Sequence, residues 1–409
     1  MKKILLINQY ASTPESGYGG RSFFISESLS KANKVTLAVG SYHHLLKDYA
    51  HQSDYSNYRK NKNFRIKSIK LFKYKGARSL LRIINWFSFL FKVALLSKEK
   101  IGFKPDLIIY SSPPLIGFLG AKFLAYRLNC PIFFEVRDIW PLSIIELGGY
   151  KKMNPLIQLM SAIEKYAYKK SDGIISNLSN ISEHITSKTG LKKINFHYSP
   201  NGINKKFLNK PNKSPVLKQL DELKERKKII GYCGGLALAN SLDCFLDTAK
   251  IASSRSDLIW IIVGEGEYKN HLMERKQKES INNVIFLDPV EKNLVNFVLQ
   301  KMDVLFLANK FTNLYSFGMS PMKLPEYLSS GKPVVQIISK KSESLLTESS
   351  SWDPVNTEKP EVILSSVLDS INMSEDEKSR RSILAKTYVN ENLRYEIISE
   401  KLLKFINNS

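Results

Sequence analysis

Two side chains of opposite charge, Lys323 and Glu326, stand three residues apart in FGMSPMKLPEYLSSGKPVV, residues 317–335. The stretch reads as a loop, a short helix, a glycine stop at Gly331 and a buried strand. Residues three apart share one face of a helix. With Ser320 as cap and Pro321 first, Pro325 costs the helix one hydrogen bond; a start one residue later removes that cost. A helix N-terminus with a lysine suits a diphosphate. A carboxylate one turn on can accept hydrogen bonds from the two vicinal hydroxyls of a ribose. An exposed salt bridge worth about 0.2–0.5 kcal/mol has the same spacing, so the pair alone leaves both readings open.

Other loops carry candidate chemistry. FFEVRDIWP (133–141) puts Arg137 and Asp138 at a strand end. They read either as a structural ion pair or as charges facing a cleft. SGYGG (16–20) contains Gly19 and Gly20 and is followed by Arg21 at the head of a helix. GYCGGLALANS (231–241) supplies Gly234 and Gly235, and GEGEY (264–268) begins with Gly264. Glycines let backbone N–H groups approach an anion, and a tight turn uses them equally often. None of these loops has dinucleotide or Walker spacing, so hydride transfer and ATPase chemistry have no direct support.

All of these loops leave strands. KILLIN (3–8), KVTLAVGS (34–41), DLIIYSS (106–112), PIFFEVRD (131–138) and DGIISNLS (172–179) alternate with helical runs. KKIIGYCGG (227–235), LIWIIVGEG (258–266), NVIFLDPV (283–290), DVLFLANK (303–310) and PVVQIIS (333–339) repeat the pattern. Near-continuous apolar strands between helices predict α/β domains with parallel sheets covered on both faces. The 409 residues suggest two domains. We expect an N-terminal domain over 1–200, a linker region over 201–226, a second domain over 227–385 and a terminal helix over 386–409. That helix could pack back on the first domain. In such sheets ligands bind outside the carboxyl ends of the strands.

Composition narrows the classes further. At 43% apolar residues the chain can build cores. Cys130, Cys233 and Cys244 form no metal or disulfide spacing, which fits a reducing cytosol. No signal peptide and no membrane-spanning run are expected. The net charge is +23, and residues 59–104 hold fourteen Lys or Arg against one acid, Glu99. LLRIINWFSFLFKVALL (80–96) lies inside that stretch. Arg78, Arg82 and Lys92 beside Trp86, Phe87 and Phe91 suit an anionic bilayer surface; a core helix with a basic polar face is the plainer alternative. No nucleic-acid module is present, so nucleic acid is not an expected partner.

The chain resembles bacterial glycosyltransferases of family 4, with the GT-B architecture of two facing Rossmann-like domains. The resemblance spans essentially the whole chain. It rests on Gly19-Gly20, PNG (200–202), Gly234-Gly235, VGEGE, FLDPV and above all SPMKLPEYLSSGKPVV. R-D-x-W-P and S-P-x-K-L-x-E-Y are similar to the subgroup that moves N-acetyl-L-fucosamine and related sugars in O-antigen and capsule assembly.

The resemblance implies retaining, metal-independent transfer from a UDP-sugar to a polyprenyl-diphosphate-linked saccharide at the inner face of the cytoplasmic membrane. No cofactor is implied, and no DxD-like carboxylate pair calls for a metal. Glu326 is then the ribose ligand. The family's partner glutamate, eight positions earlier, is replaced by Gly318. An arginine and a lysine that grip the diphosphate in many members are replaced by Gly235 and a neutral stretch around Asn240. Lys323 and the backbone of Met319, Ser320, Pro321 and Met322 take over that task, with Gly234, Gly264 and Val290 lining the nucleotide-sugar site. Gly19, Gly20 and Arg21 serve a diphosphate or the acceptor, and Asp138 and Arg137 flank the reacting groups. A GT-B nucleotide-sugar epimerase and a non-catalytic binding relative are the alternatives.

Overall fold

A computed structural model describes residues 1–14, 16–17, 20–46, 61–76, 79–204, 214–340 and 342–409. Two compact units emerge: Met1–Pro200 with Tyr395–Ser409, and Asn201–Arg394.

The first unit holds a parallel sheet of β1 (Lys3–Asn8), β2 (Lys34–Gly40), β3 (Phe64–Ile69), β4 (Leu107–Ser111), β5 (Ile132–Val136), β6 (Gly173–Ser176) and β7 (Phe196–Tyr198). Their order is β3-β2-β1-β4-β5-β6-β7. Every residue of β4, β5 and β6 is buried, so both faces of the sheet centre are covered. Edge strand β3, FRIKSI, instead alternates between buried and partly exposed positions. The order reverses between β1 and β4. There Asn8 Nδ2 donates to Ser22 Oγ (2.9 Å) and Ser111 Oγ (3.1 Å). Its Oδ1 accepts from the Tyr10 N–H at 2.9 Å and shapes the turn after β1.

The helix Tyr395–Asn408 belongs to this unit. Tyr395, Ile398, Leu402 and Ile406 recur at helical spacing and pack into the first core. Phe24 stacks on Tyr395 (5.2 Å), and Phe405 lies against Phe133 (5.9 Å) and His197 (5.2 Å).

The second unit holds β8 (Lys228–Cys233), β9 (Leu258–Val263), β10 (Val284–Leu287), β11 (Val304–Ala308) and β12 (Val334–Ile337). They form a parallel sheet of order β10-β9-β8-β11-β12. Phe245, Trp260 and Phe306 meet edge to face at 4.9–6.3 Å in its core. Aromatic pairs favour this geometry because the electron-poor ring edge meets the electron-rich face. The Glu375–Asn392 helix stays with this unit. Among the described residues, no helix is long and apolar enough to cross a membrane.

Candidate functional site

In the second unit, the loops after β8 and β9 are zipped together by their backbones. Gly234 N–H donates to Val263 O (2.9 Å), Leu236 N–H to Glu265 O (2.9 Å) and Tyr268 N–H to Leu236 O (3.1 Å). A β-carbon on Gly264 would lie 2.0 Å from the Gly234 carbonyl oxygen. Glycine at 264 is therefore demanded by close backbone approach. Gly235 is different: the nearest atom to a β-carbon there is 3.9 Å away. Gly264→Ala is expected to cost about 2–4 kcal/mol of stability through overpacking and strain. Gly235→Ala should stay within about 0.5 kcal/mol. Urea unfolding of the two variants checks the contrast.

Lys323 reaches over this zipped pair. A β-carbon on Gly234 would sit 2.2 Å from Lys323 Cε, so the lysine stem occupies the space that this glycine leaves open. Lys323 Nζ lies 3.1 Å from Asn240 Oδ1 and 5.0 Å from the centre of the Tyr232 ring. Asn240 Nδ2 donates to Gly235 O (2.8 Å), and so does Tyr232 Oη (2.6 Å). The amide orientation follows from this network: nitrogen to the carbonyl, oxygen to the ammonium. Burial lowers the Lys323 pKa from 10.5 to about 8; Cys233 and Glu326 oppose the shift and Lys292 adds to it. A lysine that burial holds below its ordinary pKa, at the carboxyl end of a parallel sheet, is a candidate functional position.

The helix carrying this face is shorter than the sequence suggests. It spans Leu324–Ser330 with Lys323 as its cap and Pro325 in its first turn, where no N–H partner is needed. Tyr327 Oη accepts the Cys233 N–H at 2.9 Å and ties the helix to the end of β8. Ser320 does not cap it. Its Oγ accepts the Asn201 N–H (2.8 Å) and its carbonyl accepts Asn201 Nδ2 (2.5 Å). The asparagine of PNG thus clamps the loop before the helix. Pro321 is partly exposed and Met322 is 40% exposed. Met319 turns inward, where its Sδ accepts from Gln336 Nε2 at 3.7 Å. Its side chain belongs to the core rather than to the site. Gly318 has φ +99°, a left-handed value at which a side chain is strained. Glu326 is paired with Lys292, a residue just beyond Val290 that sequence reasoning passed over. The only hint of it was a lysine in a loop leaving β10.

In the first unit the assignments shift more. Arg21 is fully buried and cannot serve a ligand. It donates to Glu135 Oε1 from Nε (3.0 Å) and Nη2 (2.9 Å), to Ser199 O (2.8 Å) and Oγ (2.9 Å), and to Pro200 O (2.5 Å). The buried ion pair of the FFEVRD strand is thus Arg21–Glu135, with Arg21 acting on the fold. Gly20 opens the Gly20–Leu29 helix and is also buried. Gly19 lies outside the described residues.

Arg137 and Asp138 are neighbours in different circumstances: among the described residues the buried Arg137 Nε has no hydrogen-bond partner, while Asp138 has two. Asp138 Oδ2 accepts from Trp140 Nε1 (2.9 Å) and Ser143 Oγ (2.9 Å). Burial raises the Asp138 pKa, against the pull of those hydrogen bonds. Burial lowers that of Arg137, with Glu135 opposing.

Around them, loops from the carboxyl ends of β1, β2, β3 and β5 bring aromatic rings together. Trp86 Nε1 donates to Tyr10 Oη at 2.6 Å, and Arg82 Nε donates to the same oxygen at 3.1 Å. Arg82 lies 5.4–5.7 Å from the ring centres of Tyr10, Trp86 and Trp140. Trp86 meets Trp140 at 5.4 Å. Asn85 holds the Leu80–Ala94 helix to the segment after β3, accepting Phe72 N–H (2.9 Å) and donating to Phe72 O (2.8 Å).

Trp86 is buried and Arg82 is stacked on rings, so neither belongs to a membrane-facing surface. Phe87, Phe91 and Lys92 are exposed, and Arg78 lies outside the described residues.

Known proteins share this fold. Residues 34–207 match the family model Glycosyltransferase Family 4, and residues 227–348 match Glycosyl transferases group 1. A GDP-mannose-dependent alpha-mannosyltransferase of Corynebacterium glutamicum is 25% identical over 174 residues, 42% of this chain. That match spans only 39% of the relative's own length. Among solved structures, Anabaena HepE in complex with UDP and glucose superposes with a TM-score of 0.66 at 12% identity over 100% of both chains. Sucrose-phosphate synthase of Thermosynechococcus elongatus gives 0.73 at 14% identity, over 100% of this chain and 99% of the other. The fold is GT-B, and each of its two units carries a match to a glycosyltransferase family model.

Proposed function

We propose that this protein transfers a sugar from a UDP-sugar to a polyprenyl-diphosphate-linked saccharide, with retention of the anomeric configuration, in the assembly of a surface polysaccharide. The observation that carries the reading is Lys323, held over Gly234 beside the zipped loops after β8 and β9. Leaving of the nucleotide diphosphate puts negative charge where that ammonium sits. A fixed cation there stabilises the transition state without reorganising. Glu326 takes the ribose hydroxyls, and Lys292, now paired with it, can turn to the phosphates once the ribose is bound. Asp138, oriented by Trp140 and Ser143, orients the acceptor hydroxyl. The UDP bound to HepE and the GDP-mannose of the mannosyltransferase support a nucleotide-sugar donor. N-acetyl-L-fucosamine or another N-acetylated deoxyhexose is the donor sugar we favour.

The acceptor side rests on the Leu80–Ala94 helix. Leu80, Ile84, Phe87, Phe91 and Leu95 recur every three or four residues, and all are exposed. Phe123 and Tyr126 are exposed on the adjoining Gly117–Leu128 helix. An apolar stripe of this length with lysines at its side fits the boundary of an anionic bilayer. Cosedimentation with vesicles containing phosphatidylglycerol is expected for the protein. The F87E/F91E variant should lose most of it, and recovery of the unsubstituted protein wholly in the supernatant would sink the membrane reading.

Activity is tested by following nucleotide release from a panel of UDP-sugars, with and without a lipid-linked acceptor and with EDTA. Release that needs the acceptor and survives EDTA is expected. Rearrangement of the UDP-sugar without acceptor would instead identify an epimerase, and no turnover of any donor a binding protein.

A further inference from the structure

Arg137, just past the end of β5, carries donors that nothing in the first unit uses. Its Nε is buried, and among the described residues no oxygen accepts a hydrogen bond from its guanidinium. A buried charged donor left unsatisfied is destabilising, so its presence calls for a reason.

The nearby carboxylates are engaged elsewhere. Glu135 Oε1 accepts Nε and Nη2 of Arg21, and Asp138 Oδ2 accepts Trp140 Nε1 and Ser143 Oγ. Among the described residues neither carboxylate forms an ion pair with Arg137. Burial works against the charge of Glu135; Arg21 first, and Arg137 after it, hold its pKa below the ordinary value. Two guanidinium groups thus act on one carboxylate, and only Arg21 bonds to it.

The main chain at Arg137 is fixed from both neighbouring strands. Its N–H donates to Ser112 Oγ, beyond β4, at 3.3 Å. On the β6 side, Ser176 Oγ donates to Val136 O at 2.7 Å. Asn177 Nδ2, oriented by the same network, donates to Val136 O and Arg137 O at 3.2 Å each. The side chain is therefore offered from a rigid strand end, one strand away from the β1–β4 reversal. Ligands of parallel sheets bind at such ends. Arg137 as a residue keeps some exposure, so a ligand can reach it.

A planar fork of N–H donors matches two oxygens of one phosphate. Asp138 follows directly, with about 3.8 Å between the two α-carbons. The anion at Arg137 and the hydroxyl oriented by Asp138 must then belong to one small unit.

We propose that Arg137 binds the anomeric phosphate of the acceptor, on the same sugar ring whose hydroxyl Asp138 orients. The acceptor is then a single sugar joined to a lipid diphosphate, not the far end of a longer lipid-linked oligosaccharide. This rests on the reading that the acceptor is lipid-linked, and it narrows that reading.

The test uses the full chain and calorimetric titration. Octyl diphosphate should bind the unsubstituted protein, and Arg137→Gln should raise its Kd by about tenfold to a hundredfold, as loss of a charge-assisted hydrogen bond does. The Kd for UDP should move less than twofold. An unchanged Kd for octyl diphosphate overturns the proposal, and an equal loss of UDP binding places Arg137 on the donor instead. N-acetylglucosamine 1-phosphate probes the single-ring placement. Both Arg137→Gln and Asp138→Asn should weaken it, and sensitivity to only one of them overturns that placement. Octyl glucuronide bound more tightly than octyl diphosphate would put a sugar carboxylate at Arg137 and overturn the phosphate.

Arg137→Met separates a ligand-binding arginine from a structural one. It removes unused donors and keeps the stem, so the urea midpoint should stay the same or rise. A marked fall would show Arg137 serving Glu135 Oε2, which has no partner among the described residues, and would overturn the proposal. Failure of the acceptor reading is distinguishable. Octyl diphosphate binding that depends on Arg137 supports the site even if no lipid-linked saccharide accepts sugar. Binding indifferent to Arg137 overturns the site even if transfer to lipid-linked saccharides is established.

Discussion

Lys323→Met is expected to lower kcat/KM for sugar transfer by about a hundredfold to a thousandfold, the usual effect of removing one fixed charge-stabilising donor. Methionine keeps the length of the stem over Gly234 and removes only the charge, so the fold should survive. The pH dependence carries a second signature. Burial first, and Lys292 after it, lowers the Lys323 pKa to about 8, against Cys233 and Glu326. Above pH 8 the ammonium deprotonates, and affinity for a diphosphate should fall as pH rises. Stability should move the opposite way. Between about 8 and the ordinary 10.5, the unfolded chain binds more protons at this lysine than the folded one does, so stability rises with pH across that window. In Lys323→Met both slopes should flatten. A lysine that only decorates the surface would give neither.

Arg21→Ala is expected to destabilise the first unit by about 3–5 kcal/mol, because it leaves the buried Glu135 carboxylate without its partner. Ser199 and Pro200 lose donors at the same time. Arg21→Lys should recover little, since one ammonium cannot serve Glu135, Ser199 and Pro200 in the fork geometry that guanidinium provides. The double substitution Arg21→Met/Glu135→Leu removes the orphaned charge and should regain most of the loss. Urea unfolding monitored by fluorescence reads these differences. An Arg21 that gripped a diphosphate would behave in reverse, with unchanged stability and a raised KM for the donor.

The contrast between these two residues shows what the sequence made legible. Lys323 lay in a loop-to-helix junction whose neighbours, Pro325, Gly331 and an apolar strand, fixed its place at a strand end. Its position could be read, although its partner Asn240, 83 residues away, could not. Arg21 stood at an equally promising junction. Its true partner was 114 residues distant, on a strand whose Glu135 sat beside the more conspicuous Arg137-Asp138.

The basic aromatic run posed a third problem. LLRIINWFSFLFKVALL carries aromatics on both faces, so periodicity could not decide that Trp86 turns inward, to a Tyr10 hydroxyl 76 residues away, while Phe87 and Phe91 turn out. The strands followed the same logic. Continuous apolar runs identified the sheet centres. Edge strand β3 hid in the charged stretch because Arg65 and Lys67 alternate with its buried residues, and β7 is only three residues long.

Calorimetric titration of UDP at pH 8, in two buffers of different ionisation enthalpy, tests the Lys323 diphosphate site most directly. A lysine titrating near that pH should be re-protonated when the diphosphate arrives. We predict uptake of about half a proton per UDP bound, affinity that weakens from pH 7 to pH 8.5, and loss of both effects in Lys323→Met. Equal affinity across that range, with no proton uptake and no change in the variant, would contradict the site.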